Sequence, residues 1–491
     1  MRRVAVVGAG AAGSLTAVQL MRRADLLGRA VGIWLIDPAG RTGPGVAYGT
    51  SDPRHLLNVP VGRMSAFPDD PGHFLRWLTD RNPHTAPGDF VPRQVYGQYL
   101  TDIVERTADA CGHARLHRVR DEVVAVRERG TGPVLRLAAG GELRVDAAVL
   151  ALGNLSPAQD WAGAELRDSG RFVADPWAPG ALDGPAGKGD VLLVGTGLTM
   201  VDLAATLARP DRVLHAVSRH GLLPREHLPA AAPPAEAPPD LDGSRGLDAL
   251  RRGVRRHLSA TRRARGDWRP ALDGLRPVTA ALWQQLPAAD QVRFLVEDLR
   301  TWEVHRHRMA PATAATLRGL LASGRLRIGA GEVVGAVPAD DAVAVALSDG
   351  TRLRVGAVVN CTGARTGPRG TVAPLVRCLL ERGYGRTGPV GLGLDTSGDG
   401  RLVPAAGAPV LRLWTIGAAR RGNLLETTAV PEIRAQAAEV ADNVLDALTD
   451  RRTPAPTDRH GQRLSTSPEA AELYDRALER ILGAASAPRN C

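Results

Sequence analysis

The 491-residue sequence almost lacks lysine: Lys188 is the only one, so arginine carries nearly all of its basic charge. Aromatic residues make up only 4%, and the four cysteines, Cys111, Cys361, Cys378 and Cys491, form no Cys-x-x-Cys pair. No apolar run approaches the ~20 residues that a membrane-spanning helix needs. Each shortage removes a class of function. Scattered cysteines argue against a thiol–disulfide redox centre and a zinc site, and fit a reducing compartment. The formal net charge of +10 would suit a nucleic-acid binder. However, no arginine block is interleaved with aromatics, as a stacking groove for single strands requires. The excess of Arg, Ala, Gly and Pro reads as compositional bias, and the arginines of 251–256 and 262–265 as solvated helix faces, with an anionic ligand there as the alternative. Arg2-Arg3 precede an apolar run too short for an export signal. The expectation is a cytoplasmic protein without membrane, nucleic-acid or metal partners.

What is present is glycine in two particular places. "VAVVGAGAAGSL" (4–15) is an apolar run followed by Gly8, Gly10 and Gly13, then an apolar helical face at Leu15, Val18 and Leu20. This reads as strand, turn and helix. Gly8 permits the tight turn, Gly10 lets backbone approach a pyrophosphate, and Gly13 lets helix and strand pack closely. The helix N-terminus then faces the phosphates. The next apolar run, "VGIWLIDP", ends at Asp37, where an acid would hold a ribose hydroxyl.

"VLLVGTGLTMVD" (191–202) repeats the pattern with Gly195 and Gly197, while Met200 replaces the third glycine. Thr199 falls in the first helical turn. The strand expected at 213–217 ends in Ser218-Arg219-His220, with no acid. A carboxylate there would repel a 2′-phosphate and an arginine attracts one. This favours NADPH over NADH, with Arg219 on the 2′-phosphate and His220 assisting; the alternative is a surface arginine beside a turn. Two turns then serve two cofactors, FAD held in the first and NADPH, its reductant, in the second.

The strands in "AAVLALGN" (147–154) and "GAVVNCTG" (356–363) flank the second turn. Their small-residue ends resemble those where two-dinucleotide flavoproteins pass between domains, and the resemblance implies an α/β fold with two Rossmann-like dinucleotide-binding domains, the NADPH domain inserted in the FAD domain. The boundaries expected are 1–185 and 359–447 for the FAD domain, 186–358 for the NADPH domain, and 448–491 for a linker and tail. A helical insertion at about 245–322, with apolar spacing at Leu247, Leu250 and Val254, follows a proline-alanine loop at 229–243 read as extended and mobile.

Longer stretches carry a family likeness. "GVAYGTSDPRHLLNVPVGRMSAFPDDPGHFLRWL" (45–78), "FVPRQVYGQYL" (90–100), "SRHGLLPREH" (218–227), "WEVHRHRMAP" (302–311) and "RGNLLETTAVPEIRAQA" (421–437) resemble the bacterial FAD–NAD(P)-binding flavoproteins. The likeness extends to about residue 445. The layout also resembles, more distantly, the ornithine and lysine N-hydroxylases, which share a stretch like that from Pro92-Arg93 to Tyr99-Leu100. Likeness to ketone-oxygenating flavoproteins fails in "RFVADPWAPG" (171–180), which lacks their linker histidine.

The resemblance implies an FAD-dependent, NADPH-consuming monooxygenase that uses molecular oxygen through a flavin hydroperoxide, with an amine nitrogen of a small molecule as target. An NAD(P)H-linked flavin dehydrogenase and a non-catalytic flavin-binding interaction protein are the alternatives, and a homo-oligomer is compatible with either. It also implies site residues. Asn58 faces the flavin as a catalytic hydrogen-bonding group, or else is a turn asparagine; Arg63 and Ser65 shape the same loop. Gly417 is followed by Ala418 where a Gly-Asp contact is usual, so backbone groups or another residue make that contact. Thr427, Thr428 and the backbone at Val430 meet the flavin at a helix N-terminus, whose dipole favours negative charge on the reduced ring. The basic run 305–308 orients an acidic group or is a solvated helix turn.

Overall fold

The computed structural model describes residues 1–449 apart from 130–131, 184–188, 231, 242–245, 365–366 and 368–372. The expected linker and tail beyond residue 449, with Cys491, lie outside the described residues.

In chain order the strands are β1 (Arg2–Val7), β2 (Val31–Ile36), β3 (Ala114–Val119), β4 (Val123–Arg129), β5 (Gly132–Leu137), β6 (Glu142–Arg144), β7 (Ala147–Leu150) and β8 (Phe172–Val173). They continue with β9 (Val191–Val194), β10 (Leu214–Ser218), β11 (Leu326–Ala330), β12 (Val333–Ala339), β13 (Ala342–Leu347), β14 (Arg352–Val355), β15 (Ala357–Asn360) and β16 (Leu413–Thr415). Two parallel sheets form, ordered β16-β7-β1-β2-β3 and β11-β10-β9-β15-β8. The chain leaves the first sheet after β7, builds the second, and returns with β16. Strands buried on both faces need unbroken apolar runs, as residues 4–7, 147–150 and 191–193 supply.

The sheets share one architectural feature. In the first, β1 lies between β2 and β7, with Val7 level with both Ile36 and Leu150. In the second, β9 lies between β10 and β15, with Val194 level with Val217 and Asn360. Each glycine turn thus emerges at the carboxyl edge where strand order reverses, the place where open α/β sheets bind ligands.

Helix Ala11–Leu26 packs between Arg93–Ala110 and Val430–Ala447, burying Leu15, Val18, Leu20, Met21, Val440 and Val444 completely. Each such side chain contributes about 1.5–3 kcal/mol. Two antiparallel meanders, β4–β6 and β12–β14, flank the sheets. Six helices from Leu247–Arg265 to Pro311–Ala322 form the expected insertion. The proline-alanine loop before them is pinned rather than loose: the buried Ala235 donates its N–H to the Pro270 carbonyl at 2.8 Å. A Cβ on Gly274 would fall 1.6 Å from the Ala235 carbonyl oxygen, so only glycine admits this approach. Among the described residues no helix is long and apolar enough to cross a membrane.

Candidate functional site: two glycine turns and a charged cleft

The first turn is sterically committed to glycine. Gly8 has φ +100° and its Cβ would meet the Ala151 carbonyl oxygen at 2.3 Å; a Cβ on Gly13 would meet the Gly8 oxygen at 1.8 Å. Gly10 caps helix Ala11–Leu26, with nothing nearer a Cβ than Gly45 at 3.4 Å. The turn therefore leaves backbone and helix N-terminus open to a pyrophosphate. Asp37, expected on a ribose, also braces the turn: its carboxylate accepts the N–H groups of Ala9 and Ala39, both at 2.9 Å.

The C-terminal segment closes on this turn. Gly417, at φ +74°, lies opposite Ala12, where a Cβ would stand 3.8 Å from the Ala12 Cβ. Its N–H donates to Gln436 Oε1 at 3.1 Å and its carbonyl accepts from the Thr427 hydroxyl at 3.1 Å. Gln436 Nε2 donates to the same hydroxyl at 2.7 Å. The Thr427 side chain is thus committed to holding Gly417 against the helix N-terminus. Thr428 is exposed, and Val430 is buried in the core as the first residue of helix Val430–Ala447.

Asn58, Arg63, Thr427 and Thr428 line one cleft, joined there by residues the sequence did not single out as a set. Five arginines line it (Arg63, Arg276, Arg306, Arg308 and Arg421) against three carboxylates (Asp273, Glu426 and Glu432), so positive charge prevails. Arg276 pairs with Glu432, Arg308 with Asp273, and Arg306 with Glu426 at 2.9 Å; Arg63 lies 3.6 Å from Asp273. The Trp302 indole also donates to Glu426 at 2.9 Å. Arg306 and Arg308 are buried, which corrects the reading of 305–308 as a solvated turn. Two paired arginines facing inward are stable only because carboxylates from distant segments meet them.

Two histidines complete the wall. His227 Nε2 donates to the Asn58 carbonyl at 3.0 Å, since that oxygen can only accept. Burial, reinforced by Arg308, pushes its pKa down to about 4. Burial, with Arg306 beside it, lowers that of His307 to about 4. Both imidazoles are therefore neutral at pH 7.

The second turn repeats the first with one difference. A Cβ on Gly195 (φ +115°) would meet the Cys361 oxygen at 2.2 Å, but around Gly197, which caps helix Leu198–Leu207, the space is open. Thr199 lies in the first turn of that helix. Arg219 and His220 are exposed at the end of β10. Arg300 is the missed residue here: it donates to the Thr196 and Leu222 carbonyls at 3.3 and 2.7 Å, and its pKa is lowered by burial and by the charge of nearby Arg219. Helix Leu299–Arg306 runs from this turn to the cleft, so Arg300 and Arg306 are about 9 Å apart along its axis.

A polar seam fixes the two sheets relative to each other. Arg93 pairs with the buried Asp202 at 2.8 Å. His55 bridges Thr50 and Thr206 at 2.7 and 2.8 Å, and Arg54 donates to the Ala205 carbonyl at 2.8 Å. The seam thereby joins helix Arg93–Ala110 and the 50–55 loop to helix Leu198–Leu207, which begins at the second glycine turn.

Residues 5–155 match the FAD-NAD(P)-binding family. These residues form an FAD-NAD(P)-binding domain. It contains β1, the first glycine turn, Asp37 and the Asn58 loop. Most of the chain shares its fold with solved monooxygenases at low identity. Ornithine hydroxylase from Pseudomonas aeruginosa is 16% identical, with 91% of this chain and 99% of that one covered at a TM-score of 0.59. L-lysine 6-monooxygenase from Pseudomonas syringae is 15% identical, with the same coverage and a TM-score of 0.61. The FAD-bound cadaverine monooxygenase from Erwinia amylovora is 12% identical, with 95% and 99% covered and a TM-score of 0.59. No curated protein matches the sequence. The FAD-NAD(P)-binding domain was legible from its glycines. The cleft was not: three of its segments, 218–227, 302–311 and 421–437, carry the family likeness, but nothing in them shows that they meet one another and Asp273.

Proposed function

We propose that the chain is an FAD-dependent, NADPH-consuming monooxygenase that hydroxylates an amine nitrogen of a small molecule, with an NADPH unit at 186–358 set into the FAD unit. The observation that carries this reading is that the charged cleft is tied to both units: Thr427, in its lining, holds Gly417 opposite the first glycine turn, and helix Leu299–Arg306 carries Arg300 at the second turn and Arg306 in the cleft. FAD, when bound, supplies a hydride acceptor and the site of oxygen activation.

The residues divide the remaining work. Gly8, Gly10 and Gly13 leave the space for the flavin pyrophosphate, Asp37 accepts a ribose hydroxyl, and Gly417 with the backbone at Val430 meets the ring edge. Gly195, Gly197 and Thr199 receive the NADPH pyrophosphate, while Arg219, His220 and Arg300 supply donors and positive charge for the 2′-phosphate. His227 fixes the Asn58 loop, so that the Asn58 amide is held at the flavin as a hydrogen-bonding group. The surplus positive charge of the cleft disfavours an ammonium ion and so favours the neutral, nucleophilic amine.

The test is reduction of the yellow protein by NADPH and by NADH without oxygen, followed by product analysis under ¹⁸O₂. Faster reduction by NADPH and one labelled oxygen in the product are expected. Reduction without incorporation would leave a flavin dehydrogenase. A flavin that NADPH cannot reduce would leave a non-catalytic flavin-binding protein.

A further inference from the structure

The helical layer contains a second cavity, of about 460 Å³, within the ~300–1,000 Å³ range of small-molecule sites. Its chemistry is opposite to that of the cleft. Helix Leu247–Arg265 turns Leu250, Val254 and Leu258 toward it at helical spacing, and Trp268, Trp283 and Trp302 form much of the facing wall. Near Leu247 its charged lining is the mutually paired Arg251 and Asp298, and farther along the helix come Arg255 and Arg262.

The two cavities meet at Leu425, which lines both. Leu425 has φ +59° and ψ −62°, and the Glu426 N–H donates across it to the Leu424 carbonyl at 2.7 Å. This is a γ-turn of the rare, strained hand, in a leucine. Strain of this kind is retained where surrounding structure imposes it, often at a ligand site. Trp302 connects the same junction, lining the apolar cavity while its indole N–H holds Glu426 of the cleft.

Leu247 packs in one cluster with Leu425, so the start of the helix marks the cleft end. Arg255 and Arg262, which also line the cavity, lie about 12 and 22 Å farther along the helix axis. Both are exposed, and neither has an acidic partner among the described residues, whereas Arg251 on the same helix pairs with Asp298 and Glu297. Two unpaired arginines at the far end of an apolar channel complement an anion.

We infer that this cavity is the binding site for the apolar body of an elongated carboxylate-bearing ligand, its anionic group at Arg255 and Arg262 and its other end passing Leu425 into the cleft. This rests on the reading of the cleft as the oxidation site, and it names the substrate class: an amphipathic amine with a long alkyl or aryl body, not a short diamine. A diamine would meet three tryptophans and a row of aliphatic side chains with nothing to bury, and a cleft already carrying excess positive charge.

Dodecanoate is the probe, titrated into the flavin-loaded protein with tryptophan fluorescence and calorimetry as readouts. Saturable binding at one site is expected, with cadaverine and ornithine giving none in this cavity. Val254→Trp fills the channel and should weaken binding more than tenfold. Arg255→Ala with Arg262→Ala should weaken it by about tenfold, the loss of a charge-assisted contact. Flavin content and melting temperature check that each variant folds. No saturable binding, or equal binding to Val254→Trp, would overturn the assignment and leave the cavity to residues 450–491 or a second copy of the chain. Reduction of the flavin by NADPH is measured separately. Its failure, with dodecanoate binding intact, would remove the oxidation reading and keep the cavity.

Discussion

Single side chains set the polarity of this molecule. Arg219 stands where dinucleotide folds selective for NADH carry an acid, and Arg300 adds a second charge behind it. Arg219→Ala should raise the KM for NADPH about tenfold, the worth of one charge-assisted bond, and leave that for NADH nearly unchanged. Steady-state flavin reduction with both nucleotides measures this. His227 offers a pH test. Its folded pKa, at about 4, lies below the unfolded value near 6.5. Above pH 6.5 neither state is protonated; between 6.5 and 4 the unfolded state binds the proton first, so stability falls as pH falls through that window. Asp202, raised to about 6 by burial, acts with the opposite sign in the acid range. Comparing His227→Gln with the parent isolates the histidine: the variant should lose less melting temperature between pH 6.5 and 4.

At the scale of elements, the two glycine turns look alike in sequence but differ in tolerance. Gly13→Ala drives a Cβ into the Gly8 carbonyl oxygen, a backbone atom that cannot move aside. It should cost more than about 3 kcal/mol and yield protein without flavin. Gly197→Ala meets open space and an ordinary extended backbone at φ −82°. It should fold with the parent melting temperature and full flavin content, yet bind NADPH more weakly because the Cβ occupies the path of the phosphates. Calorimetric melting and flavin absorbance distinguish the two outcomes. The helices show why some elements were misread. The run 305–308 has the composition of a solvated turn, but its partners Glu426 and Asp273 are remote in sequence, so no local pattern showed that Arg306 and Arg308 are buried.

At the scale of the whole molecule, the proposed reaction requires the two sheets to keep a fixed relation to each other. The Arg93–Asp202 pair is central to that seam. Arg93→Ala would leave the Asp202 carboxylate buried without its counter-charge, at a cost of about 3 kcal/mol. Denaturant unfolding should show this loss, and Asp202→Leu combined with Arg93→Met should recover most of it. The parallel strands, both glycine turns and Asp37 were legible along the chain, because close backbone approach to phosphate and burial on both sheet faces restrict residue choice locally. The cleft, the strained turn at Leu425 and the apolar channel emerge from tertiary contacts. The cleft joins residues from Asn58 to Glu432, the channel sets Leu425 against the helices of 247–306, and ion pairs, cavities and left-handed backbone arise from which segments meet, which no single stretch of chain encodes.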